Sequence, residues 1–346
     1  MRAVYGKAGC SGYAAHVPIR RLFGRGSPQP GDSQPDTQQA VPGRTPPEDR
    51  AAALASALGA SVAPGPAFER QAAASGMDLS LLWSLGRPVQ AAALVVPHPG
   101  RTGLLLCTMP RDAAQMQAVA LTIRAALAGV GAAGIRLVQA LTSPHETLRE
   151  AALREAGLRH LATLEYLERP IPGPPPRAAP LPAGTSIEPW DPADRATMTQ
   201  LLRRTYEGTL DCPGLSELRR DEDILDGHLG AGAFDPATWF ILRERGCVIG
   251  ALLLSASPPT DSVEVIYLGL APEARGRGIG AALLAHGIRA VAQRPERTLA
   301  LAVDVRNVPA MRLYQRAGFV PVRRREAWIA VPRSADGGEP SSAPVK

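Results

Sequence analysis

The chain contains almost no lysine and few aromatic residues. Lysine occurs only at Lys7 and Lys346, so all but two of its 38 basic residues are arginine, and Phe, Trp and Tyr make up 4% of its 346 residues. The net charge of +6 is small, and no basic helix with interleaved aromatic side chains is present. These absences argue against a protein that binds nucleic acid. The length leaves room for two domains with ordinary cores.

The sequence also lacks the patterns of metal sites, disulfide frameworks and membrane spans. Its cysteines, Cys10, Cys107, Cys212 and Cys247, are too far apart in sequence for either of the first two patterns. Arg124 interrupts the longest apolar run, so no uncharged run reaches the length of a membrane span. The first 30 residues contain no acidic residue, but they lack the apolar core of a secretory signal. We therefore expect a cytoplasmic protein with no metal and no membrane association.

Stretches rich in proline and glycine divide the chain. Residues 1–50 are rich in Pro, Gly, Ser and Gln and are expected to be disordered. Residues 169–182 contain seven prolines and are predicted to form a stiff linker, and residues 334–346 form a polar tail. The two remaining segments, residues 51–168 and residues 183–333, are predicted to be the folded domains.

The first segment predicts three short strands in an antiparallel meander, followed by a helix, a strand, a helix and a strand. The second segment repeats this order: a strand, a helix, a loop, a helix, a hairpin, a central strand, a helix, a strand, a helix and a last strand. Its second helix is predicted at residues 215–229. Residues 323–325, three successive arginines, indicate that the last strand is a solvated edge strand.

Two glycines indicate that the repeated order reflects a repeated fold. Gly157 and Gly318 each end a helix that follows an apolar strand, 161 residues apart. At this offset Leu153 corresponds to Tyr314 of the second segment. The first segment has no glycine where the second has a glycine-rich turn. We interpret residues 51–168 as a degenerate copy of the second domain; an unrelated α/β domain with the same element order is the alternative.

The glycine-rich turn follows the central strand of the second segment. The apolar run 263–270 has the length and composition of a buried strand, and residues 275–280 read Arg-Gly-Arg-Gly-Ile-Gly before a helix begins. Glycines at such a turn let several backbone N–H groups converge, and the helix N-terminus adds a partial positive charge. Arg275 and Arg277 are expected to add full charges. The turn is therefore predicted to hold a pyrophosphate.

Two other families of phosphate-binding turn are possible in principle. A P-loop is excluded because Gly280 is followed by two alanines instead of Lys and Ser or Thr. A dinucleotide fingerprint does fit residues 276–281, and Asp304 stands near the place of its ribose-binding acid. In that fold the strand runs almost directly into the glycines, whereas here residues 271–274 intervene. A nicotinamide-dinucleotide-dependent oxidoreductase stays open as an alternative.

The motif Arg-x-x-Gly-x-Gly at residues 275–280 resembles motif A of the GNAT acyl-CoA N-acyltransferase superfamily. Downstream, a strand, Asn307, the pattern Ala-x-x-Leu-Tyr ending at Tyr314, and a closing Gly-Phe resemble the second half of GNAT domains. The resemblance covers about residues 184–333. It implies an α/β fold with a mixed, mostly antiparallel central sheet flanked by helices, here present in two tandem copies.

The resemblance also implies an activity. It predicts an N-acetyltransferase that moves an acetyl group from acetyl-CoA to a small-molecule or peptide amine, by direct nucleophilic attack in a ternary complex. A non-catalytic acyl-CoA sensor is a further alternative. The loop of residues 205–214 corresponds to the acceptor wall of GNAT domains, where Glu207 and Asp211 could orient a cationic amine. The residues predicted to contact the coenzyme are Leu268, Leu270, Arg275, Gly276, Arg277, Gly278, Ile279, Gly280, Ala281 and Asn307.

Two residues are predicted to carry the chemistry. An amine with a pKa near ~10 is mostly protonated at neutral pH, so a base must accept its proton. Glu264 lies where several GNAT members place this base, although it could be an outward-facing strand residue. Tyr314 matches the GNAT general acid, because a phenol can protonate a departing thiolate, although it could be a packing aromatic. Asn307 could equally be a helix N-cap. By strand alternation Tyr267 is expected on the face opposite Glu264.

Overall fold

A single twelve-stranded sheet runs through the protein. The computed structural model describes residues 41–59, 78–171, 173–174, 176–177, 180–257 and 260–332. The strands are β1 (Gly43–Arg44), β2 (Leu82–Leu85), β3 (Ala91–His98), β4 (Thr102–Cys107), β5 (Leu137–Thr142), β6 (Arg159–Pro170), β7 (Thr185–Pro189), β8 (Trp239–Glu244), β9 (Cys247–Ser257), β10 (Ser262–Leu270), β11 (Thr298–Asp304) and β12 (Val320–Ala330). The α-helices are α1 (Arg50–Leu58), α2 (Ala113–Val130), α3 (Thr147–Glu155), α4 (Arg195–Tyr206), α5 (Asp221–Leu229), α6 (Ile279–Ala290) and α7 (Val308–Arg316).

The sheet is mixed and mostly antiparallel. Its strand order is β1-β2-β3-β4-β5-β12-β6-β11-β10-β9-β8-β7. Only the pairs β4·β5 and β10·β11 are parallel among the strands that the structure describes. The predicted meander of the first segment is present as β2, β3 and β4. The predicted fold class is confirmed.

Helices cover both faces of the sheet. In the first half, α2 and α3 bury an apolar cluster against one face and α1 buries another against the opposite face. In the second half, α6 and α7 cover the first of these faces, and α4 and α5 the other. A further cluster lies beneath the loop that precedes α5, where Leu215 and Leu218 pack over β6, β11 and β12. The glycine-rich turn and the acceptor loop therefore stand on a well-packed support.

The two halves exchange their last strands. β6, which ends the first half, pairs with β11 and β12, whereas β12 pairs with β5 and β6. The prediction that Arg323 to Arg325 mark a solvated edge strand is therefore wrong, because β12 lies in the middle of the sheet. Their charges are tolerated there because Glu165 accepts a hydrogen bond from Arg324 at 2.6 Å, while Arg323 lies 5.9 Å from the centre of the Tyr166 ring.

The strand register supports an internal repeat. In β5·β12, Thr142 pairs with Glu326, and the residues at the corresponding positions 161 places away, Val303 and Glu165, pair in β11·β6. All five residue pairs of β5·β12 map onto pairs of β11·β6 in this way. This is the offset that the sequence suggests from Gly157 and Gly318. An approximate two-fold axis therefore relates the halves.

Other parts differ from the expectations. The helix predicted at residues 215–229 is a short 3-10 turn, Ser216–Leu218, followed by α5, because Arg219 is extended with φ at −132°. Of residues 1–50, expected to be disordered, residues 1–40 lie outside the described residues, whereas β1 pairs with β2. The polar tail also lies outside them. The domain boundaries remain a prediction; the sheet adds that the two segments share strands.

One helix is apolar over an unusual length. By length and composition alone, the helical segment Ala113–Ala133 is long and apolar enough to cross a membrane, although it contains Arg124. This differs from the expectation that Arg124 leaves no run of that length. Val119, Ile123 and Val130 on this helix are buried against the sheet. The apolar composition is therefore that of a core helix of the first half.

Candidate active site

A gap opens between β10 and β11. The two parallel strands pair only from Ser262 to Glu264 on β10, after which β10 continues beside β9 and β11 beside β6. A register shift between Val265 and Tyr267 bends β10 where the divergence begins. The resemblance implies such a separation of strands, and the half-buried Leu268 and Leu270 lie along it.

The turn between β10 and α6 presents a set of backbone N–H groups. Gly276 and Gly278 have φ values of +73° and +76°, in the left-handed region that favours glycine. Gly278 is the N-cap of α6, and no side chain caps this helix start. The amides of residues 276–280 have no hydrogen-bond partner among the residues that the structure describes. No other atom lies within 4 Å of the Cβ that either glycine would carry, so the turn is open.

Arg275 does not point its charge into this turn. Its guanidinium donates to the carbonyl oxygens of Leu270 at 3.0 Å, Thr205 at 2.9 Å and Gly208 at 3.2 Å. It thereby ties the glycine-rich turn to the end of β10 and the end of α4. These bonds give Arg275 a positioning role, and its direct contact with a pyrophosphate stays a prediction.

Arg277 is also engaged outside the turn. It forms a two-pronged ion pair with Glu244, with N–O distances of 2.6 and 3.0 Å. This hydrogen bonding lowers the pKa of Glu244. An anion at this turn would therefore meet the backbone amides and the N-terminus of α6. Ala281 contributes less than expected, because its amide already bonds to the Gly278 carbonyl oxygen at 3.1 Å.

Tyr314 lies on α7 with 7% of its surface exposed. Its ring meets that of Phe319 edge to face, with centroids 5.7 Å apart. Burial raises the pKa of Tyr314, and the nearby charge of Asp211 raises it further. The phenol is thus both a packing residue and a group that stays protonated at neutral pH, as a general acid requires.

Glu264 is half-buried in β10, between Ala300 of β11 and Ser255 of β9. One of its carboxylate oxygens is buried, so the outward-facing alternative does not describe it. Burial is the main cause of the raised pKa of Tyr166 on β6, and the charge of Glu264 raises it further across the sheet face. Glu264 therefore stands just before the strands separate, where a base could face the gap.

Asn307 and Asp304 have structural partners that bear on two alternatives. The Asn307 side chain caps α7 by accepting from the Ala310 amide at 3.3 Å. Asp304 is fully buried, pairs with Arg306 at 2.6 Å and accepts from the Cys212 amide at 3.3 Å. The dinucleotide interpretation needs a free acid to bind a ribose hydroxyl. The Asp304 carboxylate already binds Arg306 and the Cys212 amide, so it does not supply the free acid that a dinucleotide site needs.

The acceptor loop is fastened to the end of β11. Asp211 accepts a hydrogen bond from the Asp304 amide at 2.9 Å, and its charge also raises the pKa of Tyr267 and Tyr314. Asp211 thus lies near the aromatic residues around the gap, as expected for an acceptor wall. Glu207 shows no such link to the gap among the contacts of the described residues.

Tyr267 does not lie on the sheet face that strand alternation predicts. The register shift in β10 puts Ile266 and Tyr267 in the same apolar cluster, so Tyr267 shares a face with Glu264. Its hydroxyl pairs with the Thr205 hydroxyl at 2.6 Å, and its ring lies 5.2 Å from that of His228. Strict alternation could not have found this arrangement, because one extra residue reverses the side-chain order.

His228 does not belong to a metal site. It is fully buried, and burial together with the charge of Arg219 lowers its pKa to about 3. Across the described residues, no group of three or more His, Cys, Asp or Glu side chains is arranged to hold a metal ion. His228 is therefore a neutral core residue beside Tyr267.

The first half has an equivalent pair of separating strands, but it lacks residues equivalent to Glu264 and Tyr314. β4 and β5 pair over only three positions, as β10 and β11 do. The pair Leu104–Gln139 corresponds to Glu264–Ala300, so a leucine replaces the candidate base, and Leu153 replaces Tyr314. At the start of α2, Asp112 accepts from the Gln115 amide at 2.8 Å. The Asp112 carboxylate therefore caps the helix start that corresponds to the uncapped start of α6.

Separated strands beside an anion-binding turn define the class of acyl-CoA-binding folds that the sequence resembles. Residues 196–319 match the family model described as acetyltransferase (GNAT). The mycothiol acetyltransferase of Mycobacterium leprae (strain TN) is 30% identical over 263 residues, which cover 64% of this chain and 77% of that one. The chain belongs to the GNAT acetyltransferase family.

Other comparisons agree with this assignment. The mycothiol acetyltransferase of Streptomyces coelicolor is 31% identical over 195 residues, or 55% of this chain and 60% of that one. The alignment with the Streptomyces bingchenggensis protein of the same name spans 56% of that relative's length. A GCN5-related N-acetyltransferase from Sphaerobacter thermophilus has a TM-score of 0.56 at 19% identity, covering 85% of this chain and 96% of that one, which supports the fold. The predicted family, fold and acyltransferase class are confirmed.

Proposed function

We propose that the protein is an N-acetyltransferase that binds acetyl-CoA at residues 275–281 and transfers the acetyl group to an amine. The observation that carries this proposal is the open turn with unpaired amides at residues 276–280, placed beside the gap between β10 and β11. Backbone amides at a helix N-terminus bind a pyrophosphate without the need of a side chain. The pantetheine would then extend along Leu268 and Leu270 toward Tyr314.

The reaction we propose is direct attack in a ternary complex. The amine nitrogen bonds to the thioester carbonyl carbon, and its proton passes to Glu264, directly or through water. Backbone N–H groups of β10 along the gap stabilise the negative oxygen of the tetrahedral intermediate. The carbon–sulfur bond then breaks, the thiolate takes the proton of Tyr314, and water returns the proton held by Glu264 to the Tyr314 phenolate. The products are an acetamide and coenzyme A.

We propose a small-molecule amine as the acceptor. The relatives reported above are named mycothiol acetyltransferases, so mycothiol without its acetyl group is the first candidate. The acceptor wall is compatible with a small ligand, because Asp211 and Arg275 fasten the loop on two sides. The first half is proposed to bind no coenzyme, since Asp112 caps α2 where the second half leaves its amides unpaired.

A thiol-release assay tests the proposal. The protein is mixed with acetyl-CoA and, one at a time, deacetylated mycothiol, polyamines, aminoglycosides and peptides with a free N-terminus. Coenzyme A should be released in stoichiometric amounts with an acetylated product that mass spectrometry detects. Binding of acetyl-CoA with no turnover on any amine would favour an acyl-CoA sensor. Binding of NAD but not of coenzyme A would contradict the proposal.

A further inference from the structure

Tyr166 is a buried tyrosine whose hydroxyl has no partner. It lies on β6, the strand that the first half contributes to the sheet of the second half, and 2% of its surface is exposed. Its phenol oxygen forms no hydrogen bond within the described part of the chain. A buried hydroxyl is costly without a partner, and nearly all such groups in folded proteins have one. A ligand that supplies the missing bond would explain why a tyrosine stands here instead of a phenylalanine.

The sheet brings Tyr166 to the same face as Glu264. Tyr166 lies opposite Ala302 on β11, and Glu264 lies opposite Ala300 on the same strand. Ala300 and Ala302 are two positions apart, so both project to that face, and each offers only a methyl group. The two larger side chains therefore face each other across a shallow strip of sheet.

The two oxygen-bearing groups influence each other electrostatically but form no hydrogen bond with each other. The Glu264 carboxylate raises the pKa of Tyr166, whereas the guanidinium charges of Arg323 and Arg325 lower it, and burial outweighs them all. No direct hydrogen bond joins the phenol to the carboxylate. A ligand group that bonds to both oxygens would lie between them. Leu215 and Leu218, in the segment between the acceptor loop and α5, pack in the same cluster as Tyr166, which limits access of solvent.

We infer that Tyr166 belongs to the acceptor site and receives a hydrogen bond from the attacking amine beside Glu264. The inference rests on the proposed function and adds a specific residue to it. A neutral primary amine has a lone pair for the thioester carbon and two N–H groups, which the Glu264 carboxylate and the Tyr166 oxygen can accept. Arg323 and Arg325 disfavour a cationic amine on this side, so the neutral form is the one held.

Strand β6 gives the first half a role in the site of the second half. It has leucines in place of Glu264 and Tyr314, yet its last strand carries a residue into the site of the second half. The strand exchange thus gives the degenerate copy a direct part in acceptor binding. Ala327 occupies the position equivalent to Tyr166 in β12, so the first half receives no such tyrosine in return.

The variant Tyr166→Phe tests the inference, because it removes only the hydroxyl. With the best amine from the thiol-release panel, the KM for the amine should rise about 5- to 10-fold, as expected for one lost hydrogen bond. The KM for acetyl-CoA should stay within about two-fold of wild type. The urea midpoint should be equal or higher, because an unsatisfied buried hydroxyl is gone. Thr122→Val is the matched control, since it deletes a buried hydroxyl in α2 that bonds only to its own helix.

A double variant separates a shared site from two independent effects. If Tyr166 and Glu264 hold the same amine, Tyr166→Phe should add less loss of kcat/KM in a Glu264→Gln background than alone. Unchanged amine kinetics in Tyr166→Phe, with wild-type activity intact, would overturn the inference and leave the proposed function standing. If the wild-type protein acetylates no amine, the proposed function fails and the inference fails with it.

Discussion

Tyr314 shows how one residue can satisfy packing and chemistry together. It is buried beside Phe319, and the same burial raises the pKa of its phenol. A raised pKa keeps the proton on the oxygen at neutral pH, so the phenol is in the form that can donate to a departing thiolate. Packing of the Tyr314 ring against Phe319 is therefore compatible with a role as general acid, because the packing would hold the phenol in place.

Replacing Tyr314 by phenylalanine should lower kcat on the order of 10² to 10⁴-fold, the range for loss of a positioned acid. The dissociation constant of acetyl-CoA should change little, because the ring still fills its space. The defect should shrink with an acyl donor whose thiol has a lower pKa, since that thiolate leaves with less help. Steady-state kinetics with two donors measure this. An unchanged kcat would make Tyr314 a packing residue only.

Two buried histidines should make stability depend on pH. Burial lowers the pKa of His98 to about 4, and burial with the charge of Arg219 lowers that of His228 to about 3. In the unfolded chain both titrate near ~6.5, so the unfolded state binds more protons below that pH and stability falls as the pH drops toward the folded values.

The free energy of unfolding should therefore be about 2 kcal/mol lower at pH 5 than at pH 7 from His228 alone. Urea titrations at the two pH values measure it, and His228→Gln should reduce the difference. The Tyr206 hydroxyl, 3.3 Å from the ring of His228, can donate to the glutamine oxygen in its place. Equal stability at pH 5 and pH 7 in the wild-type protein would show that the histidine does not remain neutral in the folded state.

Among the elements, the starts of α2 and α6 contrast most sharply. α2 begins after Asp112, whose carboxylate satisfies an amide of the first turn, whereas α6 begins after Gly278 and leaves its amides unpaired. A capped helix N-terminus is stable and closed to anions, and an uncapped one is an anion site. The equivalent helices of the two halves thus differ at their N-termini: α2 is capped by a carboxylate and α6 is not.

Gly278→Asp should convert α6 to the state of α2. An added Cβ meets no neighbouring atom within 4 Å, and aspartate tolerates the left-handed region better than most residues, so the fold should survive. The negative charge should weaken acetyl-CoA binding by at least about 100-fold, equivalent to roughly 3 kcal/mol. Gly278→Asn is the matched neutral control and should lose much less affinity. Equal losses in both variants, measured by calorimetry, would show that bulk and not charge is the cause.

The elements also show where sequence reasoning succeeds. The apolar run before the glycine-rich turn, the helix after it and the Asn307 cap all lie where the residues indicate, because these are local features. The register shift in β10 is not local: it depends on how Val265 and Tyr267 pair with β9. The face of Tyr267, and with it the aromatic cluster around His228, therefore could not be read from alternation.

At the scale of the whole molecule, the strand exchange makes the halves interdependent. β11 and β12 are both paired with β6, so a fragment that begins at residue 183 lacks the strand between them. The sequence could not predict this arrangement, because partners such as Thr142 and Glu326 are far apart along the chain. The arginines of β12 predict a solvated edge strand, because the sequence does not show that Glu165 of β6 lies beside Arg324.

Cutting the chain between residues 173 and 182 should leave the halves associated. An inserted protease site gives two fragments, which should elute together in size-exclusion chromatography and bind acetyl-CoA within about two-fold of the intact chain, because the exchanged strands stay paired. Separation should require denaturant. If the fragments separate in native buffer, the exchanged strands contribute little to stability.

We propose that the chain holds one coenzyme site, at the glycine-rich turn of its second half. Calorimetric titration of the full chain with acetyl-CoA tests this most directly. We expect about one acetyl-CoA per chain, with binding lost in Gly278→Asp and unaffected by Asp112→Asn in the first half. A stoichiometry of two, or full binding by Gly278→Asp, would contradict it.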